Sequence, residues 1–171
     1  MPRFDGKAVL VTGAAQGMGR AIAERFLEAG AAVAIFDLDA DLVAETAKEL
    51  GATGKVVAVA GDVARREDVR RACDTCVAEL GSLDVLAAQA GIGDLCPLLE
   101  IDDARWQRMI DVNLTGVFLC LHHQIPHLLG PYEIAEIAID AAIGSPAHDL
   151  RLVQRDQRRD VRSSVADDER L

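Results

Sequence analysis

The sequence predicts an α/β fold in which a parallel sheet carries helices on both faces. Short apolar runs recur along the first half of the chain, and a pattern of helical spacing follows each of them. A cluster of glycines also lies between the first run and its helical pattern. Repeated strand and helix units of this kind form parallel sheets with right-handed crossovers.

The first unit contains the most informative motif of the chain. Residues 8–11 form a short apolar run suited to a buried strand, and residues 20–29 carry apolar side chains at helical spacing. Glycines between such elements let the backbone approach a pyrophosphate, which the start of the helix then binds. We therefore expect a dinucleotide site whose first residues are Thr12, Gly13, Gln16, Gly17, Met18 and Gly19.

The second predicted strand, residues 32–36, is followed by Asp37, 18 residues beyond Gly19. A carboxylate there accepts hydrogen bonds from an adenosine 2′-hydroxyl and repels a 2′-phosphate, so the expected cofactor is NAD rather than NADP. The alternative is a solvated acid at a strand end.

Two further strands are predicted at residues 56–60 and 83–88, and glycines that suit helix C-caps separate the helices from the strands at Gly30, Gly51, Gly54 and Gly81. Asp102 and Asp103 then open a long helix, from 104 to about 129. Its predicted apolar face contains Trp106, Ile110, Leu114, Val117, Phe118 and Leu121.

The character of the chain changes after Gly130. Residues 132–143 still have the pattern of an amphipathic helix, but no strand pattern follows, and residues 151–171 contain six arginines and five acids. We expect a dinucleotide-binding domain at 1–130, and a remnant helix with a disordered, irregular tail at 131–171.

Composition indicates a globular protein with an acidic surface. The 171 residues are 50% apolar and 27% charged, with a net charge of −10. Nucleic acid and anionic membranes demand a basic face, so neither is expected as a partner. No run of 18 apolar residues and no hydrophobic signal core are present, which predicts a cytoplasmic location.

No metal site is expected. Cys73 and Cys76 fall within a helical pattern, which favours a buried helix face over a zinc or redox site, since no second pair has zinc-like spacing. His123 and His127 are four residues apart, but no third ligand has a persuasive spacing, and Pro126 between them is expected to disturb the helix. For His122, His123 and His127 two other roles are open, as a replacement general acid or as partners of the helix dipole at the C-terminal end of the long helix.

Taken together, these motifs resemble the short-chain dehydrogenase/reductase family over residues 4–129. The resemblance comprises Thr-Gly-x-x-x-Gly-x-Gly at 12–19, the acidic strand end at Asp37, the pair Asp62 and Val63, and Asn113 within Asp-Val-Asn-Leu-Thr-Gly-Val-Phe. It implies a Rossmann-type doubly wound sheet, here incomplete, with about four strands in the order 3-2-1-4. It also implies that Asp62 contacts the adenine amino group and that Val63 packs beside the ring.

The chain departs from the family pattern where the fourth strand ends. The family commonly has Asn-Asn-Ala-Gly, whereas this chain has Ala88, Gln89, Ala90 and Gly91. Backbone contacts to the cofactor need no side chain, so Ala88, Ala90 and Gly91 remain candidates for cofactor binding.

The larger departure concerns catalysis. The family uses a Tyr for proton transfer, a Lys four residues later that lowers the phenol pKa, a Ser before the Tyr, and an Asn. Asn113 is the one member present, because the sole tyrosine, Tyr132, is followed four residues later by Glu136, and all three lysines precede Asn113.

Residues 131–138 are similar to a stretch that family members carry near their C-terminus. The resemblance therefore implies that a catalytic segment is missing between Gly130 and Pro131, which leaves the fourth strand as an apolar sheet edge. Three functions stay open. They are an NAD-dependent oxidoreductase acting on a small alcohol or carbonyl substrate, a catalytically silent dinucleotide-binding module that forms homo-oligomers or pairs with a full-length relative, and a non-functional product.

Overall fold

The sheet of the computed structural model, which describes residues 3–128, has the predicted architecture. Four parallel strands lie in the order β3-β2-β1-β4. They are β1 (Ala8–Thr12), β2 (Ala32–Asp37), β3 (Val56–Ala60) and β4 (Val85–Ala88). Every residue of β1 is buried, as expected for a central strand with helices on both sides. The predicted strand order is confirmed.

Five α-helices connect or follow the strands in the described part of the chain. They are α1 (Gly17–Glu28), α2 (Ala40–Leu50), α3 (Arg66–Leu80), α4 (Asp103–Ile110) and α5 (Gly116–Leu128). Local signals set their ends: the Asp39 side chain caps α2, and α3 ends at Gly81, whose φ of 94° is in the left-handed region. Asp102 caps α4 in the same way as Asp39 caps α2.

Alternate residues of the strands supply two separate cores. On one face of the sheet, Val9, Val11, Val33 and Ile35 pack in a cluster with buried side chains of α1 and α2. The other face packs against α3 and α5, in a cluster that contains Leu10, Ala34, Phe36, Val69, Cys73, Cys76, Leu119 and Cys120. Both faces are therefore covered, which makes this a doubly wound sheet.

The prediction that Cys73 and Cys76 face the core is confirmed. Both thiols are free and buried on α3. Burial raises the pKa of Cys73 to about 11 and that of Cys76 to about 12. Neither thiol is activated for redox chemistry at neutral pH.

The predicted long helix from residue 104 to about 129 is confirmed, because residues 103–128 are helical without a break. A π-helical turn, Asp111–Thr115, lies within it between α4 and α5 and was not predicted. The predicted apolar face is wrong in part, because Trp106, Leu114 and Phe118 are 57%, 63% and 55% exposed. The buried apolar side chains of this stretch are instead Val112, Leu119 and Cys120. A π-turn inserts an extra residue and shifts the helical phase, and apolar residues occur all around α5, so spacing could not select the buried face.

Among residues 3–128, β4 lies at the sheet edge and pairs only with β1. The sequence placed its start at Leu83, whereas pairing begins at Val85. The domain boundary at 130, the predicted helix at 132–143, the tail and Tyr132 all lie outside the described residues. Within those residues, no helix has both the length and the apolar character needed to cross a membrane.

Candidate functional site

A cleft of about 330 Å³ opens at the carboxyl end of the sheet. Ligands of open α/β sheets bind at this end of the strands. The cleft is lined by Gly13, Gln16, Met18, Gly19, Phe36, Asp37, Leu38, Gly61, Asp62, Val63, Gln89, Ala90, Gly91, Ile92, Arg108 and Val112.

The glycine turn after β1 has a backbone that other residues could not adopt without strain. Gly13 has a φ of 64°, and a Cβ added there would lie 2.8 Å from the Cα of Ala90. A Cβ at Gly19 would overlap the carbonyl oxygen of Gly13. The turn is therefore packed tightly against the segment that follows β4 and against the start of α1, with no room for a side chain at Gly13 or Gly19.

The start of α1 is left uncapped. Gln16 occupies the N-cap position without a side-chain hydrogen bond, and the first turn of α1 holds no acidic residue. By contrast, α2, α3 and α4 each have an acid in the first turn. Unpaired N–H groups and the positive end of the helix dipole thus face the cleft, an arrangement that binds anions such as phosphates.

Ala15, in the glycine turn, is held through both of its backbone polar groups. The Asp37 carboxylate accepts a hydrogen bond from the Ala15 N–H at 2.9 Å, and the buried Thr46 hydroxyl donates to the Ala15 carbonyl at 2.7 Å. Asp37 stands at the end of β2 and Thr46 on α2. The second unit of the fold therefore fixes the shape of the turn in the first.

Asp62 follows β3 and is held in place on both oxygens. Its Oδ1 accepts from the Ala64 N–H at 2.9 Å, and its Oδ2 accepts from the Arg108 guanidinium at 3.0 Å. Its own N–H donates to Asp68 at 3.1 Å, and that bond contributes most to lowering the Asp68 pKa. Both side chains of the Asp62 and Arg108 pair line the cleft.

The segment after β4 is tied to its neighbours through backbone groups. The Thr12 hydroxyl accepts from the N–H groups of Gln89 and Ala90, both at 3.0 Å. The Asn113 side chain donates to the Ile92 carbonyl and accepts from the Ile92 N–H, both at 2.8 Å. Asn113 lies in the π-turn, a feature that is frequent at functional sites.

The structure brings most of the predicted site residues together. The cleft is lined by Gly13, Gln16, Met18, Gly19, Asp37, Asp62, Val63, Ala90 and Gly91. Four others, Thr12, Gly17, Ala88 and Asn113, lie beside it without lining it. The geometry shows Thr12 and Asn113 holding the segment after β4.

Sequence reasoning missed Thr46 and Arg108. Thr46 had a usable signal, because Val43, Thr46 and Leu50 share one face of α2 and a polar residue buried on an apolar face needs a partner. No local sequence signal pointed to Arg108, since its partner Asp62 is 46 residues away along the chain.

The structure brings no metal site together among residues 3–128, where no three His, Cys, Asp or Glu side chains form a suitable group. Pro126 does not end the helix, because α5 continues through it to Leu128. His123 lies 3.5 Å from Arg66, and burial, followed by its charged neighbours, lowers its pKa.

The family model described as short chain dehydrogenase matches residues 7–138. The chain is 39% identical over 145 residues to a cis-4-hydroxycyclohexanecarboxylate dehydrogenase of Sinomonas cyclohexanicum, covering 83% of this chain and 57% of that protein. It is 40% identical over 128 residues to a 2-dehydro-3-deoxy-L-rhamnonate dehydrogenase (NAD(+)) of Sphingomonas sp. (strain SKA58), covering 74% and 50%. The chain thus spans about half the length of the curated relatives it matches.

Solved structures give the same likeness. The carveol dehydrogenase of Mycobacterium avium in complex with NAD superposes with a TM-score of 0.70 at 34% identity, covering 75% of this chain and 51% of that one. A short-chain dehydrogenase/reductase of Brucella melitensis, described as a glucose/ribitol dehydrogenase, gives 0.71 at 33% identity, covering 75% and 54%.

Proposed function

The chain belongs to the short-chain dehydrogenase family, and on that premise we propose that its cleft binds NAD, with the pyrophosphate against the start of α1. The observation that carries the proposal is the uncapped helix start behind a turn that admits no Cβ at Gly13 or Gly19. Such a turn lets phosphate oxygens reach backbone N–H groups without a side chain between them.

The adenosine half of the dinucleotide fits the residues at the ends of β2 and β3. Asp37 would accept hydrogen bonds from the ribose, although one of its oxygens already accepts from Ala15. Asp62 would accept from the adenine amino group, and Val63 would pack beside the ring. Gln16, Gly17 and Met18 belong to the glycine motif and would lie at the pyrophosphate, and the backbone of Ala88, Ala90 and Gly91 would contact the cofactor.

Charge supports NAD over NADP. Asp37 lines the cleft, Asp39 caps the next helix, and Arg108 is the single basic residue among those that line the cleft. Arg108 is already paired with Asp62. A 2′-phosphate at Asp37 would therefore meet negative charge with no free cation among the lining residues. The M. avium relative was solved with NAD, and the Sphingomonas relative is named for NAD(+).

We propose further that this chain binds the dinucleotide without transferring hydride. NAD supplies a hydride acceptor when bound, but a proton must also leave the alcohol. A phenol needs a nearby cation for that step, and Glu136 stands where the family has its lysine after Tyr132. Asn113 would act as a positioning residue that fixes Ile92 beside the cofactor. The alternative, supported by the names of the relatives, is a dehydrogenase acting on an alcohol or carbonyl substrate.

Titration of NADH fluorescence with three forms of the chain tests the binding. Gln16→Asp would cap α1 and stabilise it, but its charge would repel the pyrophosphate, so we expect NADH affinity to fall about tenfold or more. Gln16→Asn is the matched control, because it caps without the charge and should change affinity less than about threefold. Wild-type affinity in Gln16→Asp would contradict the site.

Hydride transfer is tested in parallel, by NADH absorbance with a panel of secondary alcohols. We expect binding without turnover, and turnover would favour the dehydrogenase. Adding a full-length family member to the chain tests whether the two pair. The division at residue 130 and the cytoplasmic location remain predictions, to be checked by limited proteolysis and by cell fractionation.

A further inference from the structure

We propose that Arg108 determines the base specificity of the cleft by positioning the Asp62 carboxylate for the amino group of adenine. This inference rests on the proposed function, because it takes the bound ligand to be NAD. It adds a specificity-determining residue that lies on α4, far along the chain from the glycine turn and from β3.

The geometry joins two sides of the cleft through one ion pair. Arg108 Nη1 lies 3.0 Å from Asp62 Oδ2, and the side chains are 44% and 18% exposed. Val112, one helical turn after Arg108, lines the same cleft beside Val63. The base would therefore enter between apolar side chains, with the ion pair at its edge.

Arg108 restricts the orientation of the carboxylate. The Ala64 N–H already holds Oδ1, so the contact with Arg108 is the second bond, and it fixes the rotation of the group. The guanidinium also balances the charge of Asp62, which lowers the cost of covering that carboxylate with a base. Each oxygen retains capacity to accept one further hydrogen bond.

Adenine and hypoxanthine differ at the atom that would meet Asp62. Adenine presents an amino group, which donates to a carboxylate, whereas hypoxanthine presents a carbonyl oxygen, whose lone pairs would face those of Asp62. The ratio of the affinities for the adenine and hypoxanthine dinucleotides therefore reports how well the Asp62 carboxylate is oriented toward the base. A change in the stability of the fold would weaken both ligands alike and leave the ratio unchanged.

The experiment measures dissociation constants of NADH and of its hypoxanthine analogue by nicotinamide fluorescence, which both ligands share. The full chain should prefer NADH about tenfold or more, the value of one hydrogen bond to a charged group. Arg108→Leu should reduce the preference to less than about threefold, and Arg108→Lys should restore most of it.

Arg105→Leu is the matched control on the same helix. Arg105 lies one turn away and contacts Asp94 and Cys96 rather than the cleft. It should leave the preference for NADH unchanged. An unchanged or increased preference in Arg108→Leu would overturn the role of Arg108 alone. Failure of the unaltered chain to bind NADH would overturn the proposed function, and this inference with it.

Discussion

At the scale of single residues, Asp84 shows how one carboxylate joins two strands. Its Oδ2 accepts from the Ala8 N–H at 2.9 Å and from the Ser82 hydroxyl at 2.6 Å, while Oδ1 pairs with Lys7 at 2.9 Å. Burial acts to raise the pKa of Asp84, but the bonds from Ala8, Ser82 and Lys7 outweigh it, and the pKa is lowered. The charged form is therefore the one that stabilises the starts of β1 and β4.

Asp84→Asn should lower the free energy of unfolding at pH 7 by about 1–3 kcal/mol, because Ala8, Ser82 and Lys7 lose a charged acceptor. The folded pKa lies below the unfolded value of about 3.9, so this stabilisation is full above that value and is lost as pH falls through the folded pKa. Urea unfolding at pH 7 and at about pH 3 should show the gap between the two proteins narrowing in acid. Asp74→Asn, on the exposed side of α3, is the control. A gap that widens in acid would contradict the assignment.

At the scale of elements, α2 helps to hold the glycine turn in its conformation. Its buried face carries Val43, Thr46 and Leu50, of which the first and last belong to the core. Thr46 holds the Ala15 carbonyl from this helix, while Asp37 holds the Ala15 N–H from β2. The turn is therefore shaped by the unit that follows it, as well as by its own glycines.

Thr46→Val and Thr46→Ser separate the hydroxyl from the shape of the side chain. The valine variant leaves a buried carbonyl without its donor, so unfolding free energy should fall by about 1–3 kcal/mol and NADH affinity by about threefold or more. The serine variant keeps the hydroxyl and should bind NADH with nearly wild-type affinity. Thermal unfolding and NADH fluorescence measure the two effects. If the valine variant kept full NADH affinity, α2 would have no part in the site.

At the scale of the whole molecule, the described part of the chain exposes surfaces that sheet proteins usually cover. β4 has one unpaired edge, and the α4 and α5 region exposes Trp106, Leu114 and Phe118. The chain also spans about half the length of its curated relatives.

These exposed surfaces predict concentration-dependent self-association or dependence on a partner. Sedimentation velocity over a hundredfold range of protein concentration should show an apparent mass that increases with concentration. The double variant Leu114→Lys with Phe118→Glu should reduce that increase, because charged side chains on the exposed apolar surface oppose its burial. The double substitution leaves the net charge unchanged, so its effect can be assigned to the exposed apolar surface and not to overall charge. A monomeric, cooperatively melting protein would contradict this prediction.

The sequence alone determined the strand and helix alternation, the glycine turn, the acids at the ends of β2 and β3, and the burial of Cys73 and Cys76. These follow from local spacing, since apolar periods of two and of about 3.6 residues, with glycine between the elements, act within a short stretch of chain. Only the tertiary structure decided which face of α5 is buried, that Thr46 reaches Ala15, and that Arg108 reaches Asp62. Thr46 is 31 positions from Ala15, and Arg108 is 46 positions from Asp62. Such contacts depend on how the helices pack against a sheet whose register no local pattern specifies.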